Sequence, residues 1–251
     1  MIKRLVFTLF LLTASTLWAK TAPDCLNLHV IENAPIGFNN TGGQPAGVHW
    51  EYLAAIEKAS NLCLDKMILP YPRIWQSIEK GRHDGGIIFK SKSSSEFVDY
   101  VAKIRRVKIV VIPVKGVEIN SYEDLKNIRI GKTRGTNLSE QFDQDSSLNI
   151  IELNTYDQAT RMIDHGRIDA IAGSALVLSY QLKKLHALNS VDLTHKLVLG
   201  EKEQWLQLSK KSQHLDKIPQ LKLAIEKLKK NGSFAKIMDK YYGNEWRVIN
   251  Q

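Results

Sequence analysis

Two short segments carry side chains suited to holding a small ligand. The first is Lys90-Ser91-Lys92-Ser93, which places two ammonium groups and two hydroxyls directly after a short apolar run. Ammonium and hydroxyl donors in one loop suit an anionic or polyhydroxyl ligand group. The alternative for this loop is an ordinary solvated surface, and the sequence leaves both interpretations open.

The second segment is Arg134-Gly135-Thr136-Asn137, which precedes a predicted helix at Leu138. Free backbone N–H groups at a helix start attract anions, and the guanidinium of Arg134 adds positive charge. We therefore predict that Arg134 and Thr136 contact a ligand. The alternative is that Thr136 or Asn137 only caps the helix.

Five single residues are further candidates for ligand contact. Tyr71, Trp75 and Phe38 carry aromatic rings that can stack on a ligand, although core packing is the rival interpretation for Trp75. The carboxylate of Glu32 can receive a ligand cation. Ser174 ends a predicted strand, which places it in a cleft without fixing its role.

No catalytic or metal-binding motif accompanies these residues. The seven histidines form no HxxxH or HxH pair, and no GxSxG, P-loop or GxGxxG segment occurs. We therefore predict no catalytic residue, no metal site and no cofactor. The formal charge of +9 is spread along the chain, so nucleic acid is not an expected partner.

The first nineteen residues have the layout of a secretory signal peptide. Lys3 and Arg4 precede an apolar run, and small residues lead to a cleavage point after Ala19. The apolar run is short for a membrane span, so we expect an exported, soluble, periplasmic protein. The alternative is a retained N-terminal anchor.

Export changes the meaning of the two cysteines. In an oxidising compartment a disulfide is the default, so we favour a Cys25–Cys63 bond over two buried thiols. The bond would close a loop of roughly 37 residues.

Downstream of the leader, apolar runs typical of strands alternate with helical patterns, which predicts α/β architecture with parallel sheets. The strand candidates are 26–31, 67–69, 87–89, 108–114, 128–131 and 150–153. The helix candidates include 48–60 and 74–80, where apolar residues recur every three or four positions.

One segment occurs twice. Residues 77–85 resemble residues 162–170, and both contain Gly-Arg-x-Asp between a helix end and a small apolar strand. This repeat predicts two similar α/β lobes. Ligands of open parallel sheets sit at the carboxyl ends of the strands, so two such lobes enclose a cleft.

The order of these motifs resembles the bacterial extracellular solute-binding proteins of family 3, which are periplasmic and of the amino-acid-binding type. The resemblance covers almost the whole mature chain. It rests on the Gly-rich loop ending at Gly47, on 78–85, Phe97-Val98-Asp99-Tyr100, 131–137, 166–170 and 221–243.

The resemblance implies a two-lobe periplasmic-binding-protein fold of type II, with two hinge strands near 110–114 and 197–205. Lobe 1 would comprise residues 20–111 and 204–251, and lobe 2 residues 112–203. It further implies a monomer that captures a small polar solute by lobe closure and delivers it to an ABC transporter in the inner membrane.

The chain departs from the family pattern at both ends of the amino-acid clamp. The family's carboxylate-binding Arg is absent from Ser91-Lys92-Ser93-Ser94-Ser95-Glu96, and Gly173-Ser174 stands where the family has Gly-Asp. Two alternatives therefore stay open. One is an enzyme of the cyclic-acid dehydratase type, with Glu32 and Lys90 as acid–base candidates. The other is a ligand sensor for a membrane receptor.

Overall fold

The computed structural model describes residues 24–244 and 246–249. Its first half contains strands and helices in alternation: β1 (Leu26–Ile31), β2 (Phe38–Asn39), β3 (Pro45–Ala46), α1 (Val48–Ser60), β4 (Leu64–Leu69), α2 (Tyr71–Glu79), β5 (Gly85–Phe89) and β6 (Val98–Pro113). Short 3₁₀ turns occupy Ser93–Glu96 and Glu123–Asn127.

The second half continues the alternation and ends in helices. Its elements are β7 (Arg129–Thr133), α3 (Glu140–Gln144), β8 (Asn149–Leu153), α4 (Tyr156–Asp164), β9 (Ala170–Ser174), α5 (Ala175–Lys184), β10 (Leu197–Ser209), α6 (Ile218–Lys230), α7 (Ser233–Tyr242) and α8 (Trp246–Ile249). Further 3₁₀ turns lie at Leu188–Ser190 and Leu215–Lys217.

Eight strands form one mixed sheet in the order β4-β1-β5-β10-β6-β9-β7-β8. The three strands at each end pair in parallel, as predicted, whereas the two long central strands are antiparallel to each other and to their neighbours. The fold is therefore the predicted two-lobe α/β fold, in which β6 and β10 join the lobes.

The hydrophobic core is divided between the two ends of this sheet. At the β1 end, α1, α6 and α7 bury a cluster that includes Leu53 and Ile225. At the β7 end, one cluster with Ile163 and Leu178 and another with Phe142 are separated by the alternating side chains of β6. Each end of the sheet thus has its own packed interior, and Leu176 of α5 packs into the cluster at the β1 end.

The repeated Gly-Arg-x-Asp segment makes the same turn in both lobes. Gly81 and Gly166 have φ values of 68° and 60°, the left-handed region that lets a helix end and the chain reverse. Three residues later, Asp84 accepts a hydrogen bond from a backbone N–H of β1, and Asp169 accepts one from β7, both at 2.8 Å. Each Asp ties two parallel strands together at their beginnings.

The Gly-rich loop between β1 and α1 is folded back tightly. Gly47, before α1, has φ of 121°, and a Cβ there would lie 2.5 Å from the carbonyl oxygen of Ile36. Only glycine fits this position without moving the backbone. The loop therefore holds the residues after β1 in place at the edge of the sheet.

The disulfide prediction is confirmed, since Cys25 is bonded to Cys63, with a Cα–Cα distance of 4.5 Å. These cysteines immediately precede the parallel neighbours β1 and β4. The predicted leader, residues 1–19, lies outside the described residues. Among the residues that are described, no helix has the length and apolar character that crossing a membrane requires.

Candidate functional site

A cavity of about 890 Å³ lies where the carboxyl ends of the parallel strands of the two lobes face each other. The first lobe contributes the loop after β1, the start of α2 and the end of β5, and the second contributes the loops after β7 and β8, the end of β9 and one face of α5. Ile109 of β6 and Gln204 of β10, from the two strands between the lobes, also line it, and we call this part of the lining the cavity floor. The volume lies within the range of about 300–1,000 Å³ that is common for small-molecule sites.

Six of the ten predicted contact residues line this cavity. They come from both lobes and are Glu32, Phe38, Tyr71, Arg134, Thr136 and Ser174. Thr136 Oγ1 already donates to the carbonyl oxygen of Thr133 at 2.6 Å, so it shapes the loop as well as lining the site. Burial raises the pKa of the Tyr71 phenol, which therefore stays neutral and can donate a hydrogen bond.

The other four predicted residues lie outside the cavity lining. The Trp75 ring packs edge-on against the rings of Tyr71 and Phe97, each 5.9 Å away, which is the core-packing alternative. The loop 90–92 turns toward lobe 1, since Lys90 Nζ lies 5.0 Å from the ring centroid of Tyr100. Ser91 Oγ is hydrogen-bonded to Ser94 Oγ at 2.9 Å, and Lys92 is exposed.

The segment before α3 differs from its prediction. The helix begins at Glu140 rather than at Leu138 and has five residues. One N–H group of its first turn is capped by the chain itself, because Ser139 accepts from Phe142 N at 3.2 Å. Just before the helix, Asp143 accepts from Leu138 N at 2.7 Å, and Arg134 pairs with Glu152 at 3.0 Å. These contacts occupy several of the donors that the prediction assigned to a ligand anion.

Two charged residues of the cavity have no ion-pair partner within 24–244 and 246–249. Glu32 follows β1, and Lys184 ends α5 on the opposite lobe. Both are exposed to solvent. The cavity therefore offers one carboxylate and one ammonium to a ligand.

Tyr156 and Gln181 face the other lobe across the cavity, and the sequence analysis missed both. The Tyr156 phenol lies beside Thr133 of its own lobe and Asn33 of the other, and burial raises the pKa of this phenol. Gln181 on α5 donates from Nε2 to the carbonyl oxygen of Ala34. Neither residue belongs to a recognisable motif, since their partners come together only when the lobes meet.

Gln204 was also missed. It is 4% exposed, and it is nevertheless one of the residues that line the cavity. The signal available in the sequence was an amide residue at the start of the strand-like run 204–208, directly before the apolar Trp205 and Leu206. Among the described residues, no group of three or more His, Cys, Asp or Glu side chains is arranged to hold a metal ion.

Comparison with known proteins gives a consistent picture. A model of the bacterial extracellular solute-binding proteins, family 3, matches residues 28–244. The chain is 23% identical over 214 residues to the probable amino-acid-binding protein YxeM of Bacillus subtilis (strain 168), a match that covers 82% of this chain and 79% of that protein.

Solved structures share the fold at low identity. The sensor domain of a histidine kinase, described as similar to periplasmic binding proteins, matches with a TM-score of 0.73 and 15% identity, covering 88% of this chain and 97% of that chain. An ancestral arginine-binding protein bound to arginine matches with a TM-score of 0.70 and 22% identity, covering 87% and 98%. At these identities the likeness establishes the architecture.

Proposed function

This chain belongs to the bacterial extracellular solute-binding proteins, family 3, and on that premise we propose that it captures an amino acid or a related small polar solute between its lobes. The observation that carries the proposal is the pair of unpaired charges in the cavity, Glu32 on one lobe and Lys184 on the other. A free amino acid carries one ammonium and one carboxylate, so its charges complement those that the cavity offers as a whole. The name of the Bacillus subtilis relative points to the same class of ligand.

We propose that the protein works in the periplasm and delivers its solute to an ABC transporter of the inner membrane. The predicted leader supports export, and a disulfide between Cys25 and Cys63 suits an oxidising compartment. We further propose lobe 1 as residues 20–111 and 204–251 and lobe 2 as residues 112–203. Pairing of β5 with β10 from Gln204 onward supports the second boundary.

Binding without turnover is the function we propose. An acid–base mechanism with Glu32 and Lys90 requires both groups to reach one ligand, whereas Lys90 lies over Tyr100 and Trp205, outside the cavity lining. The sensor alternative differs from this proposal in the membrane partner and not in the ligand cavity. A histidine kinase sensor domain shares this fold, so the fold suits either partner.

The test is a ligand screen of the purified protein with each of the twenty L-amino acids, followed by thermal unfolding and isothermal titration calorimetry. We expect at least one amino acid to bind. At a hundred times its dissociation constant it should add about 2.7 kcal/mol to the free energy of unfolding. If none of the twenty amino acids binds at millimolar concentration, the amino-acid proposal is overturned.

A matched pair of variants checks that binding occurs in this cavity. Glu32→Gln removes the charge and keeps the shape, and we expect about tenfold weaker binding, or about 1.4 kcal/mol. Glu96→Gln is the control, because Glu96 is also exposed but lies outside the cavity lining. An equal effect of both substitutions would contradict a direct role for Glu32.

A further inference from the structure

Gln204 has its amide oxygen and its amide nitrogen in different surroundings. The oxygen, Oε1, accepts a hydrogen bond from Arg105 Nε at 2.6 Å and lies 3.3 Å from His49 Nε2. A guanidinium can only donate, so the atom that faces Arg105 must be the oxygen. This fixes the orientation of the amide, and the nitrogen, Nε2, points away from Arg105.

No residue in the described part of the chain accepts a hydrogen bond from Gln204 Nε2. The residue is 4% exposed, and it is one of the residues that line the cavity. A buried amide normally finds acceptors for its N–H groups. The geometry therefore leaves two N–H donors at the cavity floor that a ligand can satisfy.

The charge behind Gln204 strengthens these donors. Arg105 has no carboxylate within ion-pair distance among the described residues. Its uncharged neighbours include the Met238 sulfur, the Tyr52 phenol and the Tyr242 ring, whose centroid lies 5.9 Å from Cζ. Burial, followed by the positive charge of Arg105, holds the pKa of His49 well below its usual range, so His49 is neutral too. A cation bonded to the amide oxygen polarises the amide and makes its N–H groups better donors.

We propose that Gln204 is a specificity-determining residue, which donates its Nε2 hydrogens to the carboxylate of the ligand at the cavity floor, and that Arg105 is the positioning residue behind it. The inference rests on the proposed function and adds that the carboxylate is the part of the solute that lies at the cavity floor. A carboxylate fits because it accepts two hydrogen bonds and carries the charge that the field of Arg105 attracts.

The experiment uses the tightest-binding L-amino acid from the screen and its decarboxylated amine as paired probes in calorimetry. In the wild-type protein we expect the amine to bind at least tenfold more weakly than the acid. Gln204→Leu should weaken binding of the acid at least tenfold and change binding of the amine less than threefold. Gln204→Glu should abolish binding of the acid, because a carboxylate at this position pairs with Arg105 and repels the ligand.

Arg105 is tested by retaining or removing its charge. Arg105→Met should weaken binding of the acid at least tenfold, and Arg105→Lys should restore most of it. A purely structural role would affect acid and amine equally and would show no rescue by lysine. Melting temperatures of all variants without ligand report whether they fold.

Several outcomes would overturn the inference. Equal wild-type affinity for acid and amine does so without any variant, as does an unchanged affinity in Gln204→Leu. If no amino acid binds, the amino-acid proposal fails separately, and acetate, succinate and benzoate become the probes. If a carboxylate binds to the wild-type protein and not to Gln204→Leu, the role of Gln204 is supported. If no carboxylate binds, or if the substitution leaves carboxylate binding unchanged, that role is overturned.

Discussion

A histidine pair in lobe 1, one of whose rings is buried, makes the stability of the protein sensitive to acid. His29 on β1 is 1% exposed, and neither of its ring nitrogens has a hydrogen-bond partner in the described part of the chain. Its ring centroid lies 3.8 Å from that of His83, which is hydrogen-bonded to Ser77 at 2.6 Å. Burial, together with His83, lowers the pKa of His29 to about 4, and burial also lowers the pKa of His83 against the opposing carboxylates of Asp84 and Asp65.

We predict a loss of stability between pH 6.5 and pH 4. The unfolded chain takes up a proton at His29 near pH 6.5 and the folded protein only near pH 4, so acid favours the unfolded state across this interval. The loss should reach about 3 kcal/mol for this residue. Urea unfolding at pH 7 and pH 4 measures it, and His29→Leu should remove most of it.

His195→Gln is the control for that measurement. The carboxylate of Asp192 raises the pKa of His195, so its protonation favours the folded state and cannot cause the loss. An acid loss that persists in full in His29→Leu would contradict the prediction.

Single residues show where sequence reasoning reaches its limit. Glu32 and Ser174 line the cavity because strand ends of parallel sheets converge, which the sequence pattern reveals. The sequence pattern does not reveal the direction in which a loop side chain points. Lys90, for example, points toward Trp205, which is distant along the chain. Gln204 was not identified, because Arg105 and His49 orient its amide only in the folded protein.

The disulfide acts at the level of the strands. Cys25 and Cys63 hold the starts of β1 and β4 together across 38 positions of sequence. In the chain-entropy model a loop of this size contributes about 4 kcal/mol. We predict that the double substitution Cys25→Ser with Cys63→Ser lowers the free energy of unfolding in urea by that order.

Reduction provides the control. The wild-type protein with dithiothreitol should lose a similar amount, whereas the double variant should not respond. A loss below about 1 kcal/mol would show that the unfolded chain is little constrained by the bond.

At the scale of elements, pattern and structure agree best where one face is apolar. β1 and α1 have the predicted bounds, 26–31 and 48–60. β6, in contrast, begins at Val98, ten positions before the uninterrupted β-branched run, because its first half alternates buried with charged residues. α2 begins at Tyr71 with Pro72 in its first turn, where a missing N–H costs no helical hydrogen bond.

The whole molecule depends on how strongly the two lobes hold each other. Gln181 of α5 donates to Ala34, and the Tyr156 phenol of α4 lies beside Asn33, so both side chains face the loop after β1 of the other lobe. A hydrogen bond such as that of Gln181 contributes about 1 kcal/mol. It biases the lobes toward closure by roughly fivefold.

We predict that Tyr156→Phe combined with Gln181→Leu opens the protein without ligand and weakens binding by up to that factor, since ligand must then supply the closure energy. Small-angle scattering measures this opening. The radius of gyration of the variant should be larger than that of the wild-type protein. It should also exceed the value of about 18 Å that is expected for a compact chain of 251 residues by more than the wild-type value does. Saturating ligand should return it toward the wild-type value.

Tyr122→Phe combined with Gln144→Leu is the matched control, because it changes the same residue types within lobe 2 and away from the cavity lining. Its scattering and affinity should equal those of the wild-type protein. The hinge strands β6 and β10 then account for the motion, since they are the pair that connects the two cores. If the cavity variant scatters like the wild-type protein with and without ligand, Tyr156 and Gln181 do not control closure, and the affinity must be set by contacts to the solute alone.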